Sequence, residues 1–161
     1  RESMARVGAH AYYRFDDEYF EELREAWGER LHLWTVRSGT TVVAGALFSE
    51  CGGVVQYHLG GTLDRYLPGN PIKQLFHKAA VWFKHRGNRW LHLGGGVGAA
   101  HDSLMHFKLG FSPLTVPFHT WRMVLDPTMY GELARLAGAT WEPVGHSWHR
   151  GTWATSRPAA R

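Results

Sequence analysis

WLHLGGGVGAAHDSLMHFKLGFS, residues 90–112, is the stretch of this sequence that decides the fold. Its apolar start at 90–93 predicts a strand, and a glycine-rich loop then leads into a helix predicted at 102–109. Asp102 stands at the helix start, where a carboxylate caps the first backbone N–H groups. A strand that opens through glycines onto a helix can present N–H groups and a cation, here Lys108, to an anionic ligand. The stretch therefore predicts a binding site.

Three strands and one long helix are predicted before this stretch. Residues 31–37, 41–50 and 53–59 are rich in β-branched and aromatic residues and are separated by glycine-containing turns. Strands so closely spaced predict an antiparallel meander. The helix is predicted at 72–86, because its apolar residues recur at helical spacing and leave one face to be buried. The link between the meander and this helix shows no period.

A further helix is predicted near the N-terminus. Asp16 can cap it, acidic residues fill its first turn, and Phe15 can pack onto Phe20 across the cap. The helix should continue to Trp27 and end at Gly28. These features make its start the best defined of the predicted boundaries.

The C-terminal part is predicted to contain a strand at 115–126 and a helix at 127–137, with proline in the first turn. Residues 145–161 contain turn residues without a period, which predicts a loosely ordered tail. The expected organisation is a single domain at 1–144 followed by this tail. Its class is α+β, with a mixed, mostly antiparallel central sheet flanked by helices.

Composition is that of a folded chain without a membrane span. The 161 residues are 44% hydrophobic and 20% charged, and no apolar run approaches the length that a bilayer requires. The lone Cys51 excludes an internal disulfide, so a cytoplasmic location is expected. The net charge of +4 favours polyanionic partners. The sequence has neither Cys-x-x-Cys pairs nor a His-Glu-x-x-His motif, so no metal site is predicted.

Four segments resemble a known family: VQYHLGGT at 55–62, PIKQL at 71–75, NRWLHLGGG at 88–96 and DSLMHFKLGFS at 102–112. They are similar to the FemA/FemB/FemX-like peptidyltransferases, a branch of the acyl-CoA N-acyltransferase (GNAT) superfamily. The similarity covers about residues 31–126, and its specific part is the pattern LGGG followed by DSLxxFKxGF. The resemblance implies a GNAT-like fold and transfer of an aminoacyl or acyl group onto a primary amine.

Fem-like enzymes resemble two fused GNAT-like halves, which take an amino acid from aminoacyl-tRNA and add it to a peptidoglycan precursor. Only the C-terminal half is present here, which leaves three readings open: a fragment, a homodimer that rebuilds the cleft, or an enzyme with a small-molecule acceptor. The parent fold also leaves acetyl- or acyl-CoA open as the donor. A non-catalytic half that binds a partner is the alternative from another functional class.

The family motif places Lys108 where its lysine is thought to contact the tRNA end of the donor and to stabilise charge. The alternative for Lys108 is a solvated helix lysine. Phe107 beside it is assigned to the donor site by the motif, although packing in the core suits a phenylalanine better than stacking on a base.

The loop PGNP at 68–71 precedes the helix at 72–86, where a GNAT fold binds the donor's pyrophosphate. Gly69, Asn70 and Lys73 are the predicted donor-binding residues, because a helix N-terminus and a nearby cation favour phosphate. The loop departs from the R/Q-x-x-G-x-G/A pattern of acetyl-CoA users, and each of its two prolines lacks an N–H donor. A plain structural turn is therefore an equal alternative.

Tyr57 and His58 are the remaining predicted catalytic residues, at the strand end where a GNAT sheet opens to admit the acyl carbonyl. A histidine there can take the proton of the attacking amine. Neighbouring strand residues point to opposite faces, so at most one of the two faces the site. His92, on the following strand, has the same status, and each of these residues has a purely structural alternative.

Overall fold

The central feature of the fold is one mixed sheet, seen in a computed structural model that describes residues 2–6, 15–97, 100–138 and 147–156. The helices are α1 (Glu2–Arg6), α2 (Asp17–Trp27), α3 (Pro71–His85), α4 (Ser103–Leu109) and α5 (Pro127–Leu136). The strands are β1 (Leu31–Ser38), β2 (Thr41–Cys51), β3 (Val54–Thr62), β4 (Trp90–Gly94), β5 (Thr115–Arg122) and β6 (Ser147–Ser156). Within the described ranges, none of the helices combines the length and the apolarity needed to cross a membrane.

The described strands form a six-stranded sheet in the order β1-β2-β3-β4-β6-β5. β3 and β4 run parallel, and the other neighbouring pairs are antiparallel. The predicted meander of β1 to β3 and the α+β class with a mostly antiparallel sheet are confirmed. The one parallel pair among the described strands, β3 and β4, is connected through α3.

The main core lies between α3 and the sheet. Phe76 and Phe83 of α3 pack edge-on against Phe48 of β2, with ring centroids 6.1 and 5.5 Å apart. Met105 of α4 is buried in the same cluster, so α3 and α4 cover one face of the sheet. Leu33 points to the other face by strand alternation, and there α2 contacts β1. We call these the α3 face and the α2 face.

The predicted helix boundaries at α2 and α4 are confirmed. Asp16 accepts a hydrogen bond from Tyr19 N at 2.9 Å, and the Phe15 and Phe20 rings meet edge-on at 6.4 Å. Gly28 ends α2 with a φ of 52°. Asp102 caps α4 by accepting from Met105 N at 2.8 Å. Local sequence is sufficient to predict these helix boundaries, because each cap involves residues that are close in sequence.

Elsewhere the structure differs from the sequence prediction. β3 continues through two glycines to Thr62, since the partner strand β2 supplies the pairing that glycine's low strand propensity would not. The link after it, expected to be irregular, contains a 3₁₀ helix at Asp64–Gly69. The strand predicted at 115–126 ends at Arg122.

The C-terminal segment also differs from the predicted tail. Residues Ser147–Ser156 form β6, which pairs with β4 on one side and β5 on the other. Its partners lie far away in sequence, so a local pattern carries little information about it.

Candidate active site

The first element of the site is the divergence of β3 and β4. Their register joins Val54 to Trp90, Val55 to Leu91 and Gln56 to His92. Within the described strands the pairing ends there, although β3 continues to Thr62. The backbone edge of β3 that faces β4 is therefore not used by β4 beyond Gln56. A gap between two parallel strands follows, in the middle of the sheet.

A β-bulge lies at the start of this gap. Tyr57 pairs with Phe48 and Leu59 pairs with Leu47, which leaves His58 as the additional residue on β3. A bulge bends a strand and redirects its side chains, and bulges are frequent beside active sites. The structure thus brings an irregular strand segment to the point where the sheet opens.

Tyr57 and His58 contact helices on opposite faces, as strand alternation predicts. The Tyr57 ring packs against Phe76 of α3 at a centroid distance of 4.7 Å. His58 Nε2 lies 2.6 Å from Oη of Tyr19 on α2. The two candidate catalytic residues therefore belong to different sides of the sheet.

On the α2 face, Tyr19 holds the His58 ring. Phe15 stacks on Tyr19 at 4.1 Å and fixes the phenol against the helix start. Burial lowers the pKa of His58 below its ordinary value of 6.5, which favours a neutral imidazole able to accept a proton. Sequence reasoning missed Tyr19, and the aromatic cluster at the start of α2 was the available signal.

On the α3 face, Lys108 lies between the diverging strands. Its side chain is buried, with only 6% of the residue exposed, so the alternative of a solvated helix lysine is wrong. Nζ donates to the carbonyl of Gly95 at 2.6 Å and lies 6.0 Å from the centroid of the Tyr57 ring. Burial lowers the pKa of Lys108, and the charge of Asp102 acts in the opposite direction. One ammonium group thus contacts both edges of the gap.

The glycine-rich loop after β4 holds this lysine and the start of α4. Asp102 accepts from Val97 N and from Met105 N, both at 2.8 Å, and these N–H groups lower the pKa of its carboxyl. A Cβ on Gly96 would overlap the carbonyl of Ala100 and the Asp102 carboxylate, whose Cγ would be 2.8 Å away. The loop was expected to present N–H groups and Lys108 to an anion. Instead it directs a carbonyl to Lys108 and gives the Val97 N–H to Asp102.

The start of α3 gathers the predicted donor-binding residues. Asn70 adopts the left-handed conformation with a φ of 46°, and none of the described side chains caps the helix. Lys73 is exposed, with Nζ 5.8 Å from the centroid of the Phe107 ring. Phe107 packs against the core next to Phe76. Space is open beside Gly69, where an added Cβ would meet nothing within 4 Å.

Two further groups at the site, Tyr57 and His92, are uncharged near neutral pH, and burial shifts the pKa of each. It raises the pKa of Tyr57 to about 12 and, together with the charge of Lys108, lowers the pKa of His92 to about 4. Tyr57 therefore keeps its proton and does not serve as a base in the physiological range. Its ring lines the gap as an apolar and cation-binding surface.

A comparison with protein-family models shows which family has this arrangement of strands and helices. The family model described as "Acetyltransferase (GNAT) domain" matches residues 1–108, which is more than half of the chain. The chain belongs to the GNAT acetyltransferase family. No curated protein matches its sequence.

Solved GNAT structures share the fold of this GNAT domain at low sequence identity. The ribosomal-protein-S18-alanine N-acetyltransferase from Escherichia coli is 14% identical with a TM-score of 0.55, covering 94% of this chain and 82% of its own. The IAA acetyltransferase from Bacillus cereus is 14% identical with a TM-score of 0.50, covering 85% of this chain and 84% of its own. An acetyltransferase of the GNAT family from Staphylococcus aureus is 12% identical, also with a TM-score of 0.50, covering 91% and 82%. These similarities support the fold and leave the substrates open.

In this GNAT domain the predicted site residues form two groups separated by the sheet. The α3 face carries Lys108 and Tyr57 at the gap, and the donor-binding residues at the start of α3. The α2 face carries His58 with Tyr19. Because β3 and β4 no longer pair beyond Gln56, groups on the two faces of the sheet can meet at this gap.

Proposed function

We propose that this GNAT domain transfers an acyl group from acyl-CoA to a primary amine, with the donor bound in the gap between β3 and β4. The divergence of these strands after Gln56 carries the proposal. An extended thioester chain laid in the gap would hydrogen-bond to the backbone edge of β3 that β4 leaves unpaired beyond Gln56, in the manner of an added strand. Such binding would direct the acyl carbonyl towards the bulge at His58.

The phosphate groups of the donor would bind at the start of α3. An uncapped helix N-terminus favours negative charge, and the exposed Lys73 adds a positive charge within the first turn. Asn70 adds a side-chain amide next to it. Phe107 supports this corner by packing beneath Lys73.

The reaction is a direct aminolysis of the thioester. The amine nitrogen forms a bond with the acyl carbon, negative charge develops on the carbonyl oxygen, and the carbon–sulfur bond then breaks. Lys108 would stabilise the developing charge, because an ammonium group has three N–H donors and its contact with Gly95 uses one. The proton lost from nitrogen goes to His58, through the Tyr19 hydroxyl that it contacts, and CoA leaves as a thiolate that takes up a proton.

A substitution at Lys73 tests the donor site. Lys73→Gln is expected to raise the KM for acetyl-CoA about tenfold, the effect of losing one charge-assisted contact with phosphate, while kcat changes less than about twofold. Steady-state assays of thiol release measure both. Lys78→Gln is the matched control, since Lys78 is also exposed on α3 but lies beyond its first turn. Equal KM values for the two variants would contradict this phosphate site.

The pH dependence of turnover tests the proton acceptor. His58 accepts a proton only when neutral, and burial lowers its pKa, so kcat/KM should hold down to pH 6.5 and decline below it. His58→Gln is expected to lower kcat/KM about 100-fold and to remove this acidic decline. His77→Gln, at an exposed position on α3, should leave the profile unchanged. A wild-type profile in His58→Gln would exclude the assignment.

The aminoacyl-tRNA donor implied by the Fem-like resemblance stays a prediction, and one binding experiment separates it from acyl-CoA. Thermal stabilisation by acetyl-CoA that is smaller in Lys73→Gln than in the wild type supports the proposal through ligand linkage. Salt-sensitive binding of charged tRNA without a response to acetyl-CoA would favour the Fem-like function instead. The expected peptidoglycan-precursor acceptor, homodimer and cytoplasmic location also stay predictions.

A further inference from the structure

A cavity of about 760 Å³ lies on the α2 face, next to the bulge of β3. Its apolar lining comes from α1, the start of α2 and the first three strands: Met4, Ala5, Phe15, Phe20, Leu33, Ala46, Leu47 and Leu59. A space of this size fits an organic molecule of moderate length. Neither the donor-binding residues nor Lys108 line it, so it is a separate site from the donor gap.

Gly45, Gly60 and Gly61 line this cavity on the side of the sheet. They differ in how much space the structure leaves for a side chain. A Cβ on Gly60 would lie 2.7 Å from Tyr57 Oη, and one on Gly61 would lie 2.7 Å from Ser3 Oγ. At Gly60 the Gly45 carbonyl oxygen, 3.0 Å from the added Cβ, also blocks a side chain, whereas at Gly61 the Ser3 hydroxyl can rotate away. At Gly45 the nearest atom to an added Cβ is the Trp34 carbonyl oxygen, at an ordinary 3.6 Å. A glycine inside a strand lowers the stability of the strand, and packing does not require one at Gly45. We therefore attribute this glycine to the open space that it leaves for a ligand.

Polar groups gather at the α2 end of the cavity. Asp16 and Asp17 line it, and both are exposed. Asp16 accepts from the backbone of Tyr19, whose hydroxyl contacts His58. Two carboxylates beside an otherwise apolar surface attract a cationic head group, and a proton acceptor for that group lies nearby.

We propose that this cavity binds the acceptor, and that the acceptor is a primary amine carried on an elongated apolar group, such as an alkylamine or arylalkylamine. The inference rests on the proposed acyl transfer. The amine end is drawn to Asp16 and Asp17, and the apolar group fills the space above Gly45. His58 takes one proton from the ammonium group, and the neutral amine attacks the thioester through the gap. The nitrogen–carbon bond of the amide forms, the carbon–sulfur bond breaks, and the departing CoA thiolate takes up the second proton lost from nitrogen.

The first test compares amines of different length with acetyl-CoA as donor, using the full chain. Octylamine is expected to exceed ethylamine in kcat/KM by about 100-fold or more, because each additional buried methylene contributes to binding. Thiol release and mass spectrometry of the amide measure the reaction. Equal kcat/KM values for the two amines would overturn the inference.

The second test reduces the volume of the cavity by adding a side chain at Gly45. Gly45→Val should lower kcat/KM for octylamine about tenfold or more, and Gly45→Ala should have a smaller effect in the same direction. The KM for acetyl-CoA, which binds outside this cavity, should change less than about twofold in both, and ethylamine turnover should fall less than octylamine turnover. Thermal unfolding identifies a variant that fails to fold, in which case Gly45→Ala and the amine series decide. Octylamine turnover unaffected by either variant would overturn the inference.

Failure of the acceptor assignment is distinguishable from failure of the proposed function. If acetyl-CoA binds in a Lys73-dependent manner and short amines react as well as long ones, only the acceptor class is wrong. If acetyl-CoA neither binds nor releases thiol with any amine, the acyl-transfer proposal fails and the inference fails with it.

Discussion

Lys108→Met is expected to lower kcat for acyl transfer about 1000-fold while the protein stays folded. The substitution keeps most of the side-chain volume and removes the charge that lies between β3 and β4. Lys108 is buried, and a fixed positive charge in buried surroundings stabilises a developing oxyanion far more than it would in solvent. Steady-state turnover with acetyl-CoA and a reactive amine measures the loss.

The stability of the same variant separates a catalytic from a structural role. The substitution removes the cost of burying a charge but leaves the Gly95 carbonyl without its donor, so the free energy of unfolding should fall by no more than about 3 kcal/mol. Denaturant unfolding measures it. Lys78→Met, at an exposed site on α3, is the matched control for both measurements. A folded Lys108→Met with wild-type kcat would remove Lys108 from the mechanism.

Gly96→Ala is expected to cost about 3 kcal/mol of unfolding free energy, which lowers the melting temperature by about 6–12 °C in a chain of this length. The new Cβ would overlap the carbonyl of Ala100 and the carboxylate of Asp102. The carboxylate cannot move freely, because it accepts hydrogen bonds from Val97 N and Met105 N. The strain falls on the loop that carries Gly95, so kcat should fall together with stability. Thermal and denaturant unfolding provide the measurement.

A second glycine serves as the control for this effect. At Gly69 an added Cβ meets nothing within 4 Å, and the backbone is outside the left-handed region. Gly69→Ala should therefore change the unfolding free energy by less than about 1 kcal/mol, with a small gain expected from the reduced entropy of the unfolded chain. If the two alanine variants unfold alike, the loop is not held in the way that the contacts of Asp102 indicate.

Features set by near neighbours could be predicted from the sequence. The caps at Asp16 and Asp102, the contact of Phe15 with Phe20 and the buried face of α3 all depend on residues within one or two turns. The meander of β1 to β3 follows from short, strand-forming segments separated by glycine turns. Alternation also assigned Tyr57 and His58 correctly to opposite faces.

Features set by distant contacts could not be predicted. Whether a lysine on a seven-residue helix points to solvent or under a loop depends on the loop, and Lys108 is buried by Gly95 and Tyr57. The contact of Tyr19 with His58 joins residues 39 positions apart. No local pattern encodes such a pair. The sequence does carry a local signal at Gly45, a glycine inside an apolar strand, but no prediction was drawn from it.

The position of β6 in the sheet has a consequence for how this chain is made. In the described sheet, β6 is the strand that joins β5 to β4, and it is the last of the six in the sequence. During synthesis on the ribosome, β4 has an open edge and β5 lacks its sheet neighbour until residues 147–156 have emerged. Partly synthesised chains thus expose unpaired backbone that can associate with other chains, and the final strand removes that hazard as it inserts.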